Sequence, residues 1–266
     1  MAGPCGGGSG RPPRERVSNP YESSRLLAEY LLFHYGTEEE ILGRHPGPRE
    51  ALNFPARCVR ELVDPLGVPS GARALDVGCS VGRASFELGR FCKQVVGIDF
   101  SHSFIQAARL LQKNGIVSFE VVAEGDIGHL AHARVPTELD RRRAHFQVGD
   151  AMNLPDDLGG FDLVLAANLI CRLTEPALFL RRLPRLVNPG GQLLTTTPFT
   201  WLEEFTPRSR WLGGRREEGV RSFDALKEIL GGDFELQLAK DLPFLIREHE
   251  RKFQYGIALG CRWIRR

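Results

Sequence analysis

Two carboxylates and two glycines are spaced along the chain so that they could hold a small ligand. Asp76 lies in the apolar run 72–77, and Gly78 and Gly82 bracket the short turn that follows it. Glycine adopts backbone angles that other residues avoid and lets a ligand approach the main chain. Asp99 ends a second apolar run, 17 residues after Gly82. A strand, a glycine turn and a helix would bind such a ligand at the carboxyl end of the strand.

The residues around this turn argue against two common nucleotide sites. A P-loop requires Lys and then Ser or Thr directly after its second glycine, whereas this turn is followed by Arg83 and Ala84. A dinucleotide site requires Gly-x-Gly-x-x-Gly, and the carboxylate of Asp76 would repel a pyrophosphate. The same carboxylate could accept a hydrogen bond from the ammonium group of an amino acid. The turn therefore favours S-adenosylmethionine, which carries an amino-acid tail and a sulfonium in place of phosphates.

Polar residues at the ends of three later strands extend this ligand site. Asp99 could accept hydrogen bonds from both ribose hydroxyls, and each such bond to a charged acceptor contributes about 1.5–3 kcal/mol. Asp150 could accept from the adenine amino group, and Asn168 follows a strand beside the expected position of the methyl group. The predicted cofactor-binding residues are Asp76, Gly78, Cys79, Gly82, Arg25, Asp99, Phe100, Ser101, Asp150, Ala151 and Asn168.

The rest of the sequence predicts a fold that brings these strand ends together. Strand-like runs alternate with segments of helical period at 72–77, 95–99, 144–150, 161–168 and 190–198. Such alternation with short connections predicts a parallel sheet covered on both faces. Two further strand-like runs, 233–240 and 253–264, have no helix between them, which indicates an antiparallel pair at one edge of the sheet.

We therefore expect an α/β domain over residues 19–266, with a Rossmann-like, mixed seven-stranded sheet and helices on both faces. Residues 19–70 are expected to form an N-terminal helical cover. Residues 116–143 interrupt the alternation and are expected to be an insertion with a short strand and a helix. Residues 1–18 are rich in Gly, Pro and Arg and are expected to form a disordered leader.

Composition narrows the classes of partner. The chain of 266 residues is 42% hydrophobic and 26% charged with a net charge of +2, so neither nucleic acid nor a membrane surface is indicated. The six cysteines and seven histidines show no metal-ligand spacing. Scattered cysteines and the lack of a signal-peptide pattern favour a reducing, cytoplasmic setting. The oligomeric state is left open.

Four motifs in order resemble those of a known enzyme class. They are "LDVGCSVGR", "GIDFS", "GDAMNLP" and "FDLVLAANLICRL". In this order and spacing they resemble the class I S-adenosylmethionine-dependent methyltransferases. The resemblance implies a Rossmann-like fold with the cofactor at the carboxyl edge of the sheet.

A narrower resemblance runs from about Asn19 to Trp263. It rests on "NPYESSRLLAEYLLFHYG", "LGRHPGPREALNFPARC", "VVGIDFSHSFIQAA" and "TTPFTWLEEFTPRSRWLGG". These segments are similar to the C-terminal domain of ovothiol-biosynthesis enzymes, a 4-mercaptohistidine (5-thiohistidine) N-methyltransferase. In those enzymes the domain follows an iron-dependent sulfoxide synthase, which is expected to be absent here. Histidine, a histidine dipeptide and 5-thiohistidine therefore all remain open as small-molecule imidazole substrates.

Methyl transfer to the π nitrogen of an imidazole makes modest chemical demands. A neutral imidazole is already a nucleophile, since its ordinary pKa of about 6.5 leaves most of it unprotonated at pH 7. The enzyme must orient the ring, accept a hydrogen bond from its other nitrogen and hold the substrate's carboxylate. The residues predicted for catalysis are Asn168, Tyr21 and Glu203. Those predicted for substrate binding are Arg172, Thr197, Trp201, Glu204 and Tyr255.

Two other functions stay open at this point. Histidine within a peptide or protein could be the acceptor, although the sequence has no long charged docking surface. A non-catalytic scaffold could also bind the cofactor, but it would have no need to keep Asp99 and Asn168. Fold alone does not separate these alternatives.

Overall fold

The structure, a computed structural model, describes residues 20–266. The strands are β1 Arg73–Val77, β2 Gln94–Asp99, β3 Ile116–Glu124, β4 Ile127–Arg134, β5 Ala144–Val148, β6 Phe161–Ala167, β7 Val187–Thr197, β8 Phe234–His249 and β9 Lys252–Arg265. A seven-stranded sheet forms the centre of the fold, with strand order β5-β2-β1-β6-β7-β9-β8, and a two-stranded sheet pairs β3 with β4. The expected α/β fold is confirmed. The predicted leader, residues 1–18, and the start of the domain at Asn19 lie outside the described residues.

Parallel pairing aligns the strand ends that carry the candidate residues. Strand β1 lies between β2 and β6, with Asp76 opposite Gly97 on one side and Leu165 on the other. At the end of β2, Asp99 lies opposite Val148 of β5. The carboxyl ends of these strands therefore meet at one edge of the sheet.

The antiparallel pair predicted at the edge of the sheet is confirmed. Strand β9 pairs antiparallel with β7, where Thr197 lies opposite Leu259, and also with β8. The β8–β9 hairpin continues from Leu259 past the last residue of β7. This overhang packs against the N-terminal helices, since Phe244 lies 5.2 Å from Phe54 between ring centroids.

Helices cover both faces of the sheet. They are α1 Ser24–Tyr35, α2 Glu38–Leu42, α3 Phe54–Arg60, α4 Arg83–Leu88, α5 His102–Asn114, α6 Pro176–Arg182 and α7 Ser222–Leu230. Successive residues of β1 pack into hydrophobic cores on opposite faces of the sheet, because successive side chains of a strand point to opposite faces. Ala74 packs with residues of α1, α3, α4 and α5, whereas Leu75 packs with residues of α6 and α7. Helix α1 and the segments up to α3 form the expected N-terminal cover.

The insertion at 116–143 differs from expectation, because it is a β-hairpin in which no α-helix forms. Strands β3 and β4 pair antiparallel through a turn at Gly125, whose φ is +57°. Val121 and Ala131 are buried against Leu32 of α1, so one face of the hairpin extends the N-terminal cover. The only helical turn in this segment is the single 3₁₀ turn Arg141–Arg143.

Candidate cofactor and substrate site

The turn between Gly78 and Gly82, called the glycine turn, is hydrogen-bonded to the neighbouring strand β2. The backbone amides of Gly78 and Cys79 both donate to the carbonyl of Ile98, at 2.8 and 3.0 Å. Gly78 and Gly82 have φ of +75° and +87°, in the left-handed region that favours glycine. A Cβ on Gly82 would also lie 2.6 Å from the ring of Phe146. The backbone therefore favours glycine at both positions, and packing also requires it at Gly82.

Asp76 is a carboxylate enclosed within the sheet. Its side chain is 1% exposed, and the hydroxyl of Ser85 donates to Oδ2 at 2.6 Å. Burial raises the pKa of Asp76 to about 7; the Ser85 hydrogen bond opposes this rise, and the nearby charge of Asp99 adds to it. A cation arriving beside this carboxylate would favour its ionised form.

Asp99 joins the glycine turn to helix α5. The amides of Ser80 and Ser101 donate to its two carboxylate oxygens, each at 2.9 Å. The side chain is 8% exposed, and burial raises its pKa against these hydrogen bonds; the charge of Glu22 raises it further. Because each oxygen keeps a second lone pair, the carboxylate can still accept hydroxyl donors.

A short strap, defined here as Tyr21–Ser23, closes over this end of α5. The hydroxyls of Ser101 and Ser103 donate to the carbonyl of Tyr21 at 2.9 and 3.0 Å. The carboxylate of Glu22 accepts from the amides of His102 and Ser103 at 2.8 and 3.2 Å, which satisfies two free donors at the helix N-terminus. Neither contact has a local sequence signal, since about 80 residues separate the partners.

The side chain of Tyr21 connects the strap to the other half of the strand edge. Its hydroxyl forms hydrogen bonds with Arg172 and Tyr30, and burial raises the pKa of this phenol. Its ring lies 5.7 Å from Phe100 and 6.2 Å from Phe205 between centroids. The guanidinium of Arg172 stacks over Phe205 at 4.8 Å. Aromatic rings therefore border the Tyr21–Arg172 pair, and the charge of Asp99 acts on the Tyr21 phenol.

Arg172 is positioned by main-chain carbonyls. One guanidinium nitrogen donates to the carbonyls of Cys171 and Thr200 at 3.1 and 3.0 Å. A guanidinium has five N–H groups, so donors remain for a carboxylate. No carboxylate within residues 20–266 forms an ion pair with Arg172.

Asn168 closes the end of β6 against β7. Its backbone amide donates to the carbonyl of Thr196 at 2.8 Å, and its side-chain Oδ1 accepts from the Thr196 hydroxyl at 3.0 Å. Four non-glycine residues have positive φ in residues 20–266, and three of them follow strand ends: Ser80, Asn168 and Phe199, each with φ of 50°. Backbone strain of this kind concentrates at functional sites.

The remaining candidates are spread around this centre. Asp150 is exposed and accepts from the amide of Met152 at 2.8 Å as a turn cap, with Ala151 buried beside it. Thr197 is buried and accepts from the Phe199 amide at 3.1 Å. Their side chains are thus engaged in local structure.

Four candidates lie in loops or at the hairpin. Trp201 donates to the Ser222 hydroxyl at 2.9 Å and stacks on Trp211. Glu203 and Glu204 are exposed, and neither has a hydrogen-bond partner among the described residues. Tyr255 is 52% exposed on the overhang of β9.

Arg25 is not brought to the Asp99 carboxylate. It pairs with Glu29 at 3.1 Å and lines a surface depression with Val122 and His249. Tyr21 lies four residues before Arg25, but the two do not share a helix face, because α1 begins only at Ser24 and Tyr21 belongs to a separate 3₁₀ turn.

The donor set fits a cationic cofactor better than a phosphate. Asp76 and Asp99 would repel a phosphate, whereas they can hold an ammonium group and ribose hydroxyls. Residues 75–195 match the family model described as a methyltransferase domain. Over these residues the chain is similar to methyltransferase domains. Its cofactor is S-adenosylmethionine, and Asp76, Asp99 and the turn between Gly78 and Gly82 are the residues suited to hold it.

Solved structures agree on the fold. An S-adenosylmethionine-dependent methyltransferase from Methanosarcina mazei is 18% identical, covers 77% of this chain and 98% of its own, and has a TM-score of 0.50. The [4+2]-cyclase SpnF is 16% identical, covers 91% of this chain and 97% of its own, and has a TM-score of 0.51. A cyclase on this fold shows that the fold does not determine the reaction.

Curated relatives match the chain in part. A ubiquinone biosynthesis O-methyltransferase from Azorhizobium caulinodans is 30% identical over 162 residues, which is 61% of this chain and 49% of the relative. The one from Xanthomonas axonopodis pv. citri is 28% identical over 152 residues, 56% of this chain and 52% of the relative. The chain spans about half the length of these relatives.

Two further features bear on partners. Among helices within residues 20–266, none combines the length and apolar character that crossing a bilayer requires. The same residues hold no group of three His, Cys, Asp or Glu side chains suited to a metal ion.

Proposed function

We propose that the protein is an S-adenosylmethionine-dependent N-methyltransferase that acts on the imidazole π nitrogen of L-histidine or a close derivative. The derivatives in question are 5-thiohistidine and histidine dipeptides. The observation that carries the proposal is the Tyr21–Arg172 pair, which the rings of Phe100 and Phe205 border and on which the charge of Asp99 acts through the Tyr21 phenol. The long motifs similar to the 5-thiohistidine N-methyltransferase domain of ovothiol-biosynthesis enzymes add support.

Arg172 is the group proposed to hold the acceptor's carboxylate. Its free N–H donors suit a carboxylate in the bidentate geometry that guanidinium favours. The rings of Phe100 and Phe205 would pack against the imidazole, which is planar and largely apolar on its faces. An amino acid with an aromatic side chain therefore satisfies both parts of this half of the site.

The proposed roles around the ring require no strong base. The bound cofactor supplies an electrophilic methyl group on sulfonium, and neutral imidazole supplies the nucleophile. Asn168 is proposed to accept the N–H of the other ring nitrogen at Oδ1, which would fix the tautomer; Glu203 is the alternative acceptor. Tyr21 is proposed to orient Arg172 and to exclude water. Well-oriented reactants gain on the order of 7–11 kcal/mol from positioning.

O-methylation is the second candidate, because the curated relatives are named O-methyltransferases. A hydroxyl acceptor needs a base to take up its proton, and Asp76, with a pKa of about 7, is committed to the cofactor in our proposal. We therefore rank this candidate second. A peptide-bound histidine and a non-catalytic scaffold are further outcomes of the same test.

The test is a direct assay of acceptors. Purified protein is incubated with S-adenosylmethionine and, separately, histidine, carnosine, 5-thiohistidine, a histidine-containing peptide and a catechol. Products are identified by mass spectrometry and by NMR. We expect a π-methylated imidazole from at least one small molecule, and its loss in Asp99→Asn. Methylation of the catechol or the peptide alone would reject the proposal, as would cofactor binding without any product.

A further inference from the structure

Helix α1 carries two tyrosines whose hydroxyls reach different parts of the candidate site. The hydroxyl of Tyr35 donates to the carbonyl of Val81, in the glycine turn, at 2.8 Å. The hydroxyl of Tyr30 forms a hydrogen bond with that of Tyr21 in the strap. Since Tyr21 is also bonded to Arg172, Tyr30 is the tyrosine of α1 that is connected to this cation.

The ring of Tyr30 lies in an aromatic cluster that phenylalanine could fill equally well. Its centroid lies 5.0 Å from that of Phe104 and 6.2 Å from that of Phe33, and the His34 ring is 5.9 Å away. Phe33 and Phe104 pack in the same core without any polar side-chain atom. Packing therefore explains the ring of Tyr30, and the bond to Tyr21 explains its hydroxyl.

The oxygen of Tyr21 accepts both of these hydrogen bonds. A guanidinium can only donate, so Arg172 is the donor in its bond with Tyr21. Burial is the main cause that raises the pKa of both phenols, and the bond between them lowers the pKa of Tyr21 while it raises that of Tyr30. This pattern identifies the Tyr30 hydroxyl as the donor and the Tyr21 oxygen as the acceptor.

Two donors on one oxygen hold it in place, and each polarises it for the other. The main chain of Tyr21 is held separately, because its carbonyl accepts from the hydroxyls of Ser101 and Ser103 at 2.9 and 3.0 Å. Removing the hydroxyl of Tyr30 should therefore loosen the end of the Tyr21 side chain that contacts Arg172. The strap's main chain should stay bound to α5.

We propose that Tyr30 is a positioning residue, which holds the Tyr21 hydroxyl so that Arg172 presents its remaining N–H groups to the acceptor's carboxylate. The inference rests on the proposed function, because it requires that Arg172 binds this carboxylate. Tyr30 acts on the acceptor only through Tyr21 and Arg172. Its hydroxyl should therefore matter for acceptors that carry a carboxylate and not for those that lack one.

The experiment compares Tyr30→Phe with Tyr35→Phe in the full chain, since each change removes one phenolic hydroxyl from α1 and keeps the ring. The ligands are L-histidine, the smallest of the proposed acceptors, and histamine, which has the same ring but lacks the carboxylate. Their Kd values are measured by titration calorimetry with the protein saturated by S-adenosylhomocysteine. For Tyr30→Phe we expect the Kd for L-histidine to rise about three- to tenfold, the range for one hydrogen bond, and the Kd for histamine to change less than about twofold. Tyr35→Phe should change neither value by more than about twofold.

Tyr21→Phe and the double variant with Tyr30→Phe test whether the effect passes through Tyr21. Once the Tyr21 hydroxyl is absent, Tyr30 has no oxygen to hold, so the second change should raise the Kd for L-histidine less than about twofold further. Independent, multiplying losses would overturn the proposal. Equal weakening of histamine in Tyr30→Phe would also overturn it, because the hydroxyl would then support the site as a whole.

Arg172→Ala distinguishes failure of this inference from failure of the proposed function. If Arg172→Ala weakens the binding of L-histidine and Tyr30→Phe does not, only the role of Tyr30 is overturned. If neither change weakens it, the role proposed for Arg172 is overturned as well. A Tm loss of several degrees in ligand-free Tyr30→Phe, with an unchanged Kd for L-histidine, would give the hydroxyl a purely structural role and overturn the proposal.

Discussion

The two halves of the strand edge are built in different ways. The half around β1 and β2, proposed to bind the cofactor and called here the cofactor half, consists of the buried Asp76 and Asp99 and the glycine turn, with hydrogen bonds of 2.6 to 3.0 Å. The half around β6 and β7, proposed to bind the acceptor and called here the acceptor half, combines Arg172 and Asn168 with loop residues such as Glu203, which is exposed. The strap joins the halves through Tyr21.

This difference indicates how the protein divides its tasks. A dry, pre-formed cofactor half strengthens electrostatic interactions and needs no rearrangement of its carboxylates. The acceptor half keeps a cation with donors to spare, and it borders loops that can accommodate different molecules. Changes in the first half should therefore affect cofactor affinity, and changes in the second should affect the acceptor's KM.

The largest effect is expected from Asp99→Asn. The substitution keeps the shape of the side chain but removes the charge that would hold two ribose hydroxyls. Losing two charge-assisted hydrogen bonds of about 1.5–3 kcal/mol each weakens binding at least about 100-fold. Calorimetric titration with S-adenosylhomocysteine measures this loss, and circular dichroism checks that the variant is folded.

Asp150→Asn is the matched control for this change. Asp150 also ends a loop after a strand, but its carboxylate is exposed and caps Met152. We expect its Kd to rise less than about tenfold, because exposed hydrogen bonds compete with water. An equal rise in Kd for Asp150→Asn and Asp99→Asn would contradict the contrast between buried and exposed carboxylates.

The cofactor half could be predicted from sequence because its parts are local. Asp76, Gly78 and Gly82 lie in one strand–turn–helix unit, and the end of β2 follows from its apolar pattern. The strap could not be predicted, since Tyr21 meets Ser101 and Arg172 only through tertiary packing. The β3–β4 hairpin did carry a signal: Gly125 and Asp126 form a two-residue Gly-Asp turn after a run rich in β-branched residues. The helix predicted for the insertion disagrees with this turn signal.

Arg172→Ala should produce the next largest effect, confined to the acceptor half. Removing the guanidinium takes away the proposed partner of the acceptor's carboxylate and the hydrogen bond to Tyr21. We expect the acceptor's KM to rise about 10- to 100-fold, while the Kd for S-adenosylhomocysteine changes less than about threefold.

Tyr21→Phe helps to separate these two contributions, because it keeps the ring and the Arg172 guanidinium and removes the hydroxyl that bonds to Arg172 and Tyr30. Its KM should rise by less than that of Arg172→Ala. If the Kd for S-adenosylhomocysteine rose in Arg172→Ala by as large a factor as the acceptor's KM, the residue would belong to the cofactor half and would lose its proposed role. Steady-state kinetics with the acceptor identified above provides the KM values.

The next effect concerns pH and belongs to the cofactor half. Burial raises the pKa of Asp76 to about 7, above its ordinary value of 3.8. The stability it contributes is therefore fully present below about pH 3.8, falls as pH rises, and is lost above about pH 7, with a slope of at most about 1.4 kcal/mol per pH unit. In Asp76→Asn this fall should be absent from the ligand-free protein.

Chemical unfolding at pH 5, 6, 7 and 8 measures this difference between the wild-type protein and Asp76→Asn. Comparing the two proteins cancels the pH dependence that other groups contribute, such as Glu87, whose pKa is lowered. Cofactor binding should show the opposite trend, since the ammonium group favours ionised Asp76: affinity should increase several-fold between pH 6 and 8. Parallel pH curves for the two proteins would contradict the assignment.

The smallest effects are expected from Glu203→Gln and Glu204→Gln, and they test how open the acceptor half is. Both carboxylates are exposed and lack a hydrogen-bond partner within the described residues, so neither substitution should change Tm measurably. If Asn168 accepts the ring N–H, as we propose, kcat should change less than about threefold in either variant. Asn168→Ala should then lower kcat about tenfold or more, since the tautomer would no longer be fixed. If Glu203→Gln instead caused the larger loss, the loop would have to close over the acceptor during turnover. The acceptor half would then be assembled by binding and not pre-formed like the cofactor half.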